Sequence, residues 1–181
     1  FSYGQLATQI ERFHIFFEAC GIKKGERIAI CAKNTARMAV SFLSVNTYET
    51  VVVPILSDFT PDSVNHLVDH SESVILFTDN DIWAKLDISK MPLLRAVVSV
   101  NDFTLLYAAE ESISKAFASV PELFSAKYPM GFTGENVNYN TENWDDLDII
   151  NYTSGTTSAP KGVMLTYKAI SATIDFGQRH I

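Results

Sequence analysis

Short apolar runs, rich in β-branched residues, recur about every 20 residues along this chain, each followed by a stretch with helical periodicity. Residues 27–32, 51–55, 73–77 and 95–100 carry these runs, and Pro54 marks the end of the second, while residues 148–153 return later as a further strand. The runs are continuously apolar instead of alternating, so each strand is expected to be buried on both faces. Strands of that kind, separated by helices, imply an α/β fold: a largely parallel sheet layered with helices.

The intervening segments carry their own start and stop signals. Ser2 and Gln5 have the spacing of a capping box, and Leu6, Ile10, Phe13 and Phe17 follow at helical intervals, with Gly21 placed to end the helix. Asn34 or Thr35 is expected to cap a second helix through Asn46. Met38, Val40, Phe42, Leu43 and Val45 make it apolar almost all round, which predicts burial on more than one side. Thr60 before Pro61 predicts a third helix, with Val64, Leu67 and Val68 as its core stripe. Residues 81–86 form a short helical candidate. Residues 110–124 form an amphipathic one, with Ile113, Phe117, Val120 and Phe124 on one side. Residues 128–145, with Gly131, Thr133, Gly134 and Thr141, read as a polar excursion or linker.

Composition narrows the function. A net charge of −7, with Lys23-Lys24 the longest basic run, excludes a nucleic-acid partner, which needs clustered cations. No apolar stretch reaches the ~20 residues of a membrane span. No basic n-region leads into an apolar segment, so no signal peptide is expected. Cys20 and Cys31 lack metal-type spacing and read as reduced, partly buried thiols of a cytoplasmic protein. The chain opens on Phe1 and stops at Ile181 within a predicted helix, so a piece of something longer is expected.

The chemistry is concentrated in Tyr152-Thr153-Ser154-Gly155-Thr156-Thr157-Ser158-Ala159-Pro160-Lys161-Gly162. Ile149-Ile150 leads in. Val163-Met164-Leu165 and a helix from about Tyr167 lead out. A strand–loop–helix segment of this kind can offer phosphate oxygens backbone N–H groups, hydroxyl donors and one positive charge. It is not a Walker A sequence, because Lys161 is followed by Gly162, not by Ser or Thr. As composition alone, a solvated turn of small polar residues explains it equally well.

The order of its residues, Tyr-Thr-Ser-Gly-Thr-Thr-x-x-Pro-Lys-Gly-Val, closely resembles the phosphate-binding signature of the adenylate-forming enzymes. These include acyl-CoA synthetases, peptide-synthetase adenylation domains and luciferase. The resemblance extends to Phe1-Ser2-Tyr3-Gly4-Gln5-Leu6, Gly25-Glu26-Arg27-Ile28-Ala29-Ile30, Val51-Val52-Val53-Pro54-Ile55, the Pro61 helix and Ile75-Leu76-Phe77-Thr78-Asp79. It covers most of the chain apart from roughly 100–145. Asp146-Leu147-Asp148-Ile149-Ile150 and Val163-Met164-Leu165-Thr166 look most like the long-chain fatty acid branch. The chain is then expected to be an incomplete N-terminal AMP-binding domain over 1–181. Its α/β core would be 27–100, a variable helix and loop 101–145, and the strand, phosphate loop and helix 146–181.

The resemblance implies a two-step reaction with ATP, Mg2+, a carboxylic acid (a fatty acid in this branch) and coenzyme A. The carboxylate attacks the α-phosphate of ATP, giving an acyl-adenylate and pyrophosphate. A thiol then displaces AMP to leave a thioester. The loop would hold the β- and γ-phosphates and stabilise charge on the leaving pyrophosphate. Thr153, Ser154, Thr156 and Thr157 would donate hydrogen bonds, Gly155 would allow close approach, Lys161 would supply charge, and Pro160 would stiffen the turn.

Three positions depart from the pattern. Ser158 stands where relatives usually have glycine, at a cost on the order of 1 kcal/mol if φ is positive there. Tyr48-Glu49-Thr50 replaces a common Lys-Ala-Gly, and Tyr167 a common histidine to which no function attaches. The family's adenine, ribose and magnesium motifs, and its catalytic lysine, lie downstream. The resemblance therefore assigns no catalytic or metal-binding residue within this chain, places the coenzyme A site outside it, and implies that the chain alone is inactive. The alternatives are an enzyme that adenylates an amino or aryl acid or loads a carrier protein, and a non-catalytic nucleotide-binding relative.

Other candidates carry blander readings. His66 and His70, four apart on a predicted helix, could bracket a metal ion but lack an evident third ligand, and read as a polar helix face. His14 and His180 read as structural. Trp83 and Trp144 are expected to be partly buried. Asp145, Asp146 and Asp148 could attract a cation and read as the solvated lead-in to a strand.

Overall fold

The computed structural model describes residues 2–139, 143–153 and 161–180. The capping box at Ser2 forms: its hydroxyl accepts from the Gln5 backbone N–H at 3.2 Å, and Gln5 Oε1 accepts from the Ser2 N–H at 2.8 Å. It starts α1 (Tyr3–Ala19), which Gly21 ends at φ 67°. The elements continue β1 (Arg27–Cys31), α2 (Ala36–Thr47), β2 (Val51–Ile55), α3 (Pro61–His70) and β3 (Ser73–Thr78). Then come α4 (Asn80–Trp83), β4 (Ala96–Ser99), β5 (Leu105–Ala108), α5 (Glu111–Lys127), β6 (Leu147–Thr153), β7 (Lys161–Thr166) and α6 (Tyr167–His180).

The strands form one sheet in the order β5-β4-β3-β1-β2-β6-β7. β1 pairs in parallel with β2 and β3, β3 with β4, and β2 with β6. The two edge strands, β5 and β7, run antiparallel to their neighbours. Both faces of the inner strands β1, β2, β3 and β4 are covered. Ile28, Ile30, Val52, Ile75, Phe77 and Val98 turn to one face, against Phe13, Phe16 and Phe17 of α1, Val40 and Val45 of α2, and Ile113 and Val120 of α5. Ala29, Cys31, Val53, Ile55, Leu76 and Val97 turn to the other, against Val64, Leu67 and Val68 of α3 with Met91 and Leu94. This double burial is why the strand sequences do not alternate.

Three expectations change. α2 is buried on one face only: Val40, Ser41, Ser44 and Val45 are covered, whereas Ala36, Arg37, Ala39 and Leu43 are exposed. Small and polar residues on its inner side allow close approach to the sheet, so its apolar outer residues are not a second core face. β5 has no strong sequence signal, because Leu-Leu-Tyr-Ala is short and only half buried at the sheet edge. Its signal is the preceding turn, where Asp102 Oδ1 accepts from the Thr104 N–H at 3.0 Å. Trp144 is 53% exposed, while Trp83 is half buried against Tyr107, ring centroids 6.0 Å apart.

α3 ends with Glu72 in the left-handed region at φ 55°, its N–H donating to Asp69 O at 2.8 Å. A glycine adopts that conformation without strain. Glu72→Gly is expected to raise stability by about 0.5–1 kcal/mol, the left-handed cost less glycine's unfolded-state entropy and a weak surface ion pair. That ion pair is Arg27–Glu72 at 3.3 Å. Urea denaturation measures the change, and a lowered midpoint would mean that the ion pair outweighs the backbone strain.

Candidate functional site

The chain passes from β1 to β2 on one side, then crosses back to β3 on the other. Where an open α/β sheet reverses direction in this way, the connections diverge at the carboxyl ends of the strands and leave a crevice. A cavity of about 620 Å3 opens at the carboxyl ends of β1, β2 and β6, lined by residues that include Asn34, Met38, Ile55, Asp58, Tyr152 and Thr153.

β6 carries the hydroxyl-rich segment to this crevice, and β7 returns antiparallel beside it. Thr153 pairs with Lys161, Tyr152 with Gly162 and Asn151 with Val163. Residues 154–160 therefore bridge two paired strand ends. Of the predicted phosphate-binding residues, Thr153 and Lys161 form this neck, and both are exposed. Ser154, Gly155, Thr156 and Thr157 lie outside the described residues, as do Ser158 and Pro160. The lysine is thus held opposite the first threonine by backbone pairing.

Nothing in the residue pattern singles out Gly162, yet packing favours it. A Cβ built there would lie 2.9 Å from Ile150 Cγ2 and 3.4 Å from the Tyr152 ring. Any larger residue there would force the Ile150 side chain to shift. Tyr152 itself is buried, and its hydroxyl lies 2.7 Å from His70 Nδ1 of α3. Burial pushes its phenol upward, opposed by nearby Arg27. The strand end before the loop is thus fixed to the helix layer below the sheet.

The far end of the hairpin is strapped to α2. Asp148 is 1% exposed, which overturns its reading as a solvated lead-in. Asn46 Nδ2 donates to its Oδ1 at 2.5 Å, while its Oδ2 is buried without a partner among the described residues. The Tyr167 hydroxyl donates to the Asn46 carbonyl at 2.9 Å, giving that tyrosine an anchoring role. Lys24 bridges Glu49 at 3.0 Å and Asp146 at 3.2 Å. Asp145 remains exposed.

Burial raises the Asp148 carboxyl above the usual carboxylate range, and the Asn46 hydrogen bond offsets this in part. The folded state therefore binds this proton more tightly than the unfolded chain does. The cost of the buried charge is absent below the unfolded value and grows as pH rises through the raised folded one. Asp148→Asn keeps an oxygen for Asn46 and removes the charge. It is expected to stabilise the protein at neutral pH, with a gain that vanishes as the medium is acidified toward 3.8. Unfolding free energies across pH test this, and a gain that persists unchanged in acid would refute it.

His14, Cys20, Cys31 and Asp79 have structural surroundings. His14 Nε2 lies 3.1 Å from both Ser44 O and Thr47 Oγ1, and burial lowers its pKa. Burial holds Cys20 at about 11 and Cys31 at about 12, so both stay protonated and unreactive as nucleophiles. Asp79, buried at the end of β3, accepts from the Lys33 N–H at 2.9 Å and from Asn101 Nδ2 at 3.1 Å. His66 and His70 are exposed on α3, the polar face expected. Among the described residues no group of three or more His, Cys, Asp or Glu could hold a metal ion. No helix among them is long and apolar enough to cross a membrane.

The sequence model of the AMP-binding enzyme family matches residues 1–180. The chain belongs to that family. A crotonobetaine/carnitine–CoA ligase of Proteus mirabilis (strain HI4320) is 29% identical over 172 residues, covering 92% of this chain and 31% of the relative. A chloroplastic long-chain-fatty-acid–[acyl-carrier-protein] ligase of Arabidopsis thaliana is 28% identical over 180 residues, covering 92% and 24%. The fold is shared with an anthranilate CoA ligase solved in complex with anthranoyl-AMP: TM-score 0.74, 15% identity, 94% of this chain and 30% of that one. The chain thus spans less than a third of the length of these relatives. Its mostly parallel sheet is that of the N-terminal domain of adenylate-forming enzymes.

Proposed function

We propose that this chain carries the phosphate-binding part of an ATP-dependent acid–thiol ligase. In this reading the whole protein activates a long-chain fatty acid as its acyl-adenylate and transfers the acyl group to coenzyme A. One observation carries it: a hairpin at the carboxyl end of the sheet pins Thr153 opposite Lys161, and the intervening residues have the order of the adenylate-forming signature.

ATP supplies the electrophilic phosphorus and the leaving group. Thr153, Ser154, Thr156 and Thr157 are proposed to donate hydrogen bonds to the β- and γ-phosphates, Gly155 to let the backbone approach them, and Lys161 to offset charge as pyrophosphate departs. The neck suits that work. Gly162 and Tyr152 fix the strand ends, so the lysine needs little reorganisation when charge develops. Mg2+ and coenzyme A would be bound chiefly by parts of the protein beyond this chain, and the chain alone is expected to show no turnover.

The fatty acid is the narrower part of the proposal. It draws on the residues flanking the loop and on the similarity to a long-chain-fatty-acid ligase. Relatives named for carnitine and anthranilate substrates support a second reading, a ligase for short or aryl acids. Thioester formation by the full-length protein, measured over aliphatic acids of graded length and aryl acids, separates the two. A preference for aryl or short acids would replace the fatty acid and leave the adenylation chemistry standing. Ser158→Gly is expected to leave ATP binding intact or tighten it by up to about fivefold, the relief of ~1 kcal/mol of strain. Markedly weaker nucleotide binding by calorimetry would contradict that.

A further inference from the structure

The phosphate-loop reading makes no use of the histidine pair on α3. His66 and His70 are both exposed, one helical turn apart, with ring centroids 5.7 Å apart. Residues at i and i+4 lie on the same face of a helix, and two histidines so spaced can chelate one transition-metal ion. A second observation points the same way. His70 Nδ1 is engaged by the Tyr152 hydroxyl at 2.7 Å, and that tyrosine is itself buried. A ligating imidazole characteristically gives its other ring nitrogen to a neighbouring polar group, which fixes tautomer and ring orientation. With Nδ1 engaged by Tyr152, Nε2 is the nitrogen left for a metal. Arg27, whose charge acts on Tyr152, is paired with Glu72 at 3.3 Å, which reduces its repulsion of an ion.

We propose that His66 and His70 form a two-histidine site for a divalent transition-metal ion of the Zn2+, Ni2+ and Cu2+ class, with Tyr152 orienting His70. With no third ligand of these types placed beside them among the described residues, water completes the coordination shell. The bound ion requires the His70 tautomer with hydrogen on Nδ1, so that Nδ1 donates to the tyrosine oxygen. Tyr152 directly precedes Thr153, so the site is tied to the strand that holds the neck of the loop.

Competition of the chelator-treated protein against a chromophoric zinc indicator, titrated with ZnCl2, tests this. The wild type is expected to bind one Zn2+ that both His66→Gln and His70→Gln lose. His66→Gln should leave the unfolding midpoint unchanged, because the side chain is exposed. Tyr152→Phe is expected to weaken Zn2+ binding about tenfold. Zinc binding at thiols or elsewhere would persist in both histidine variants, and that result overturns the site, as does a wild type that binds no Zn2+ at millimolar concentration. Unchanged affinity in a folded Tyr152→Phe variant would overturn the orienting role.

Discussion

Replacing Lys161 by alanine in the full-length protein is expected to slow acid-dependent ATP–pyrophosphate exchange by about 10²- to 10³-fold, the usual cost of removing one group that meets developing charge. Lys161 sits at the first position of β7, paired with Thr153 across the neck of the loop. It is exposed and carries no ion pair among the described residues, so its charge is free to meet an anion. For the same reason its removal should leave the unfolding midpoint unchanged. The rate loss should fall on kcat more than on the KM for ATP if the lysine acts mainly on the departing pyrophosphate. Lys161→Arg keeps the charge and should retain more activity than alanine. A loss of only a few-fold in a folded Lys161→Ala variant would remove the lysine from the proposed chemistry.

The largest effect on stability is expected at Phe77. It lies in β3 with 0% of its surface exposed, edge-on to Phe13 at 5.1 Å and to Phe17 at 6.3 Å. These rings bind α1 to the sheet, and close-packed neighbours relax only partly around a void. Phe77→Ala should cost about 3–5 kcal/mol, a large share of the ~5–15 kcal/mol that stabilises a typical domain. Phe77→Leu retains more volume and should cost less. Chemical denaturation measures both, and a loss below about 1 kcal/mol for alanine would contradict the assignment of this face as the main core.

The interior of the sheet was legible in the sequence because burial on both faces writes itself into composition. Val52-Val53 and Ile75-Leu76-Phe77 contain no polar residue, since each side chain faces one helix layer or the other. Helix starts were legible where capping is local, at Ser2, Thr35 and Thr60. What escaped depends on contacts distant in sequence. Asp148 looks like one of three solvated acids, and only Asn46, 102 positions away, reveals it as a buried anchor. Tyr167 acquires a role from the Asn46 carbonyl, and Tyr152 from His70. Gly162 looks like one more small residue of the motif until the Ile150 side chain is placed beside it. Half-buried β5 lacks the strong apolar run that betrays an inner strand. The order of residues in the loop points to the proposed chemistry, and the fold supplies the paired strand ends that hold Thr153 opposite Lys161.

Acid-dependent exchange of labelled pyrophosphate into ATP by the full-length wild-type protein decides whether the loop serves an adenylating enzyme. It reads formation of the acyl-adenylate and is independent of which thiol accepts the acyl group. Rapid exchange is expected with ATP, Mg2+ and a long-chain fatty acid, and none when the acid is left out. Absence of exchange with every carboxylic acid tried, in a folded protein that binds ATP, would contradict the adenylating role.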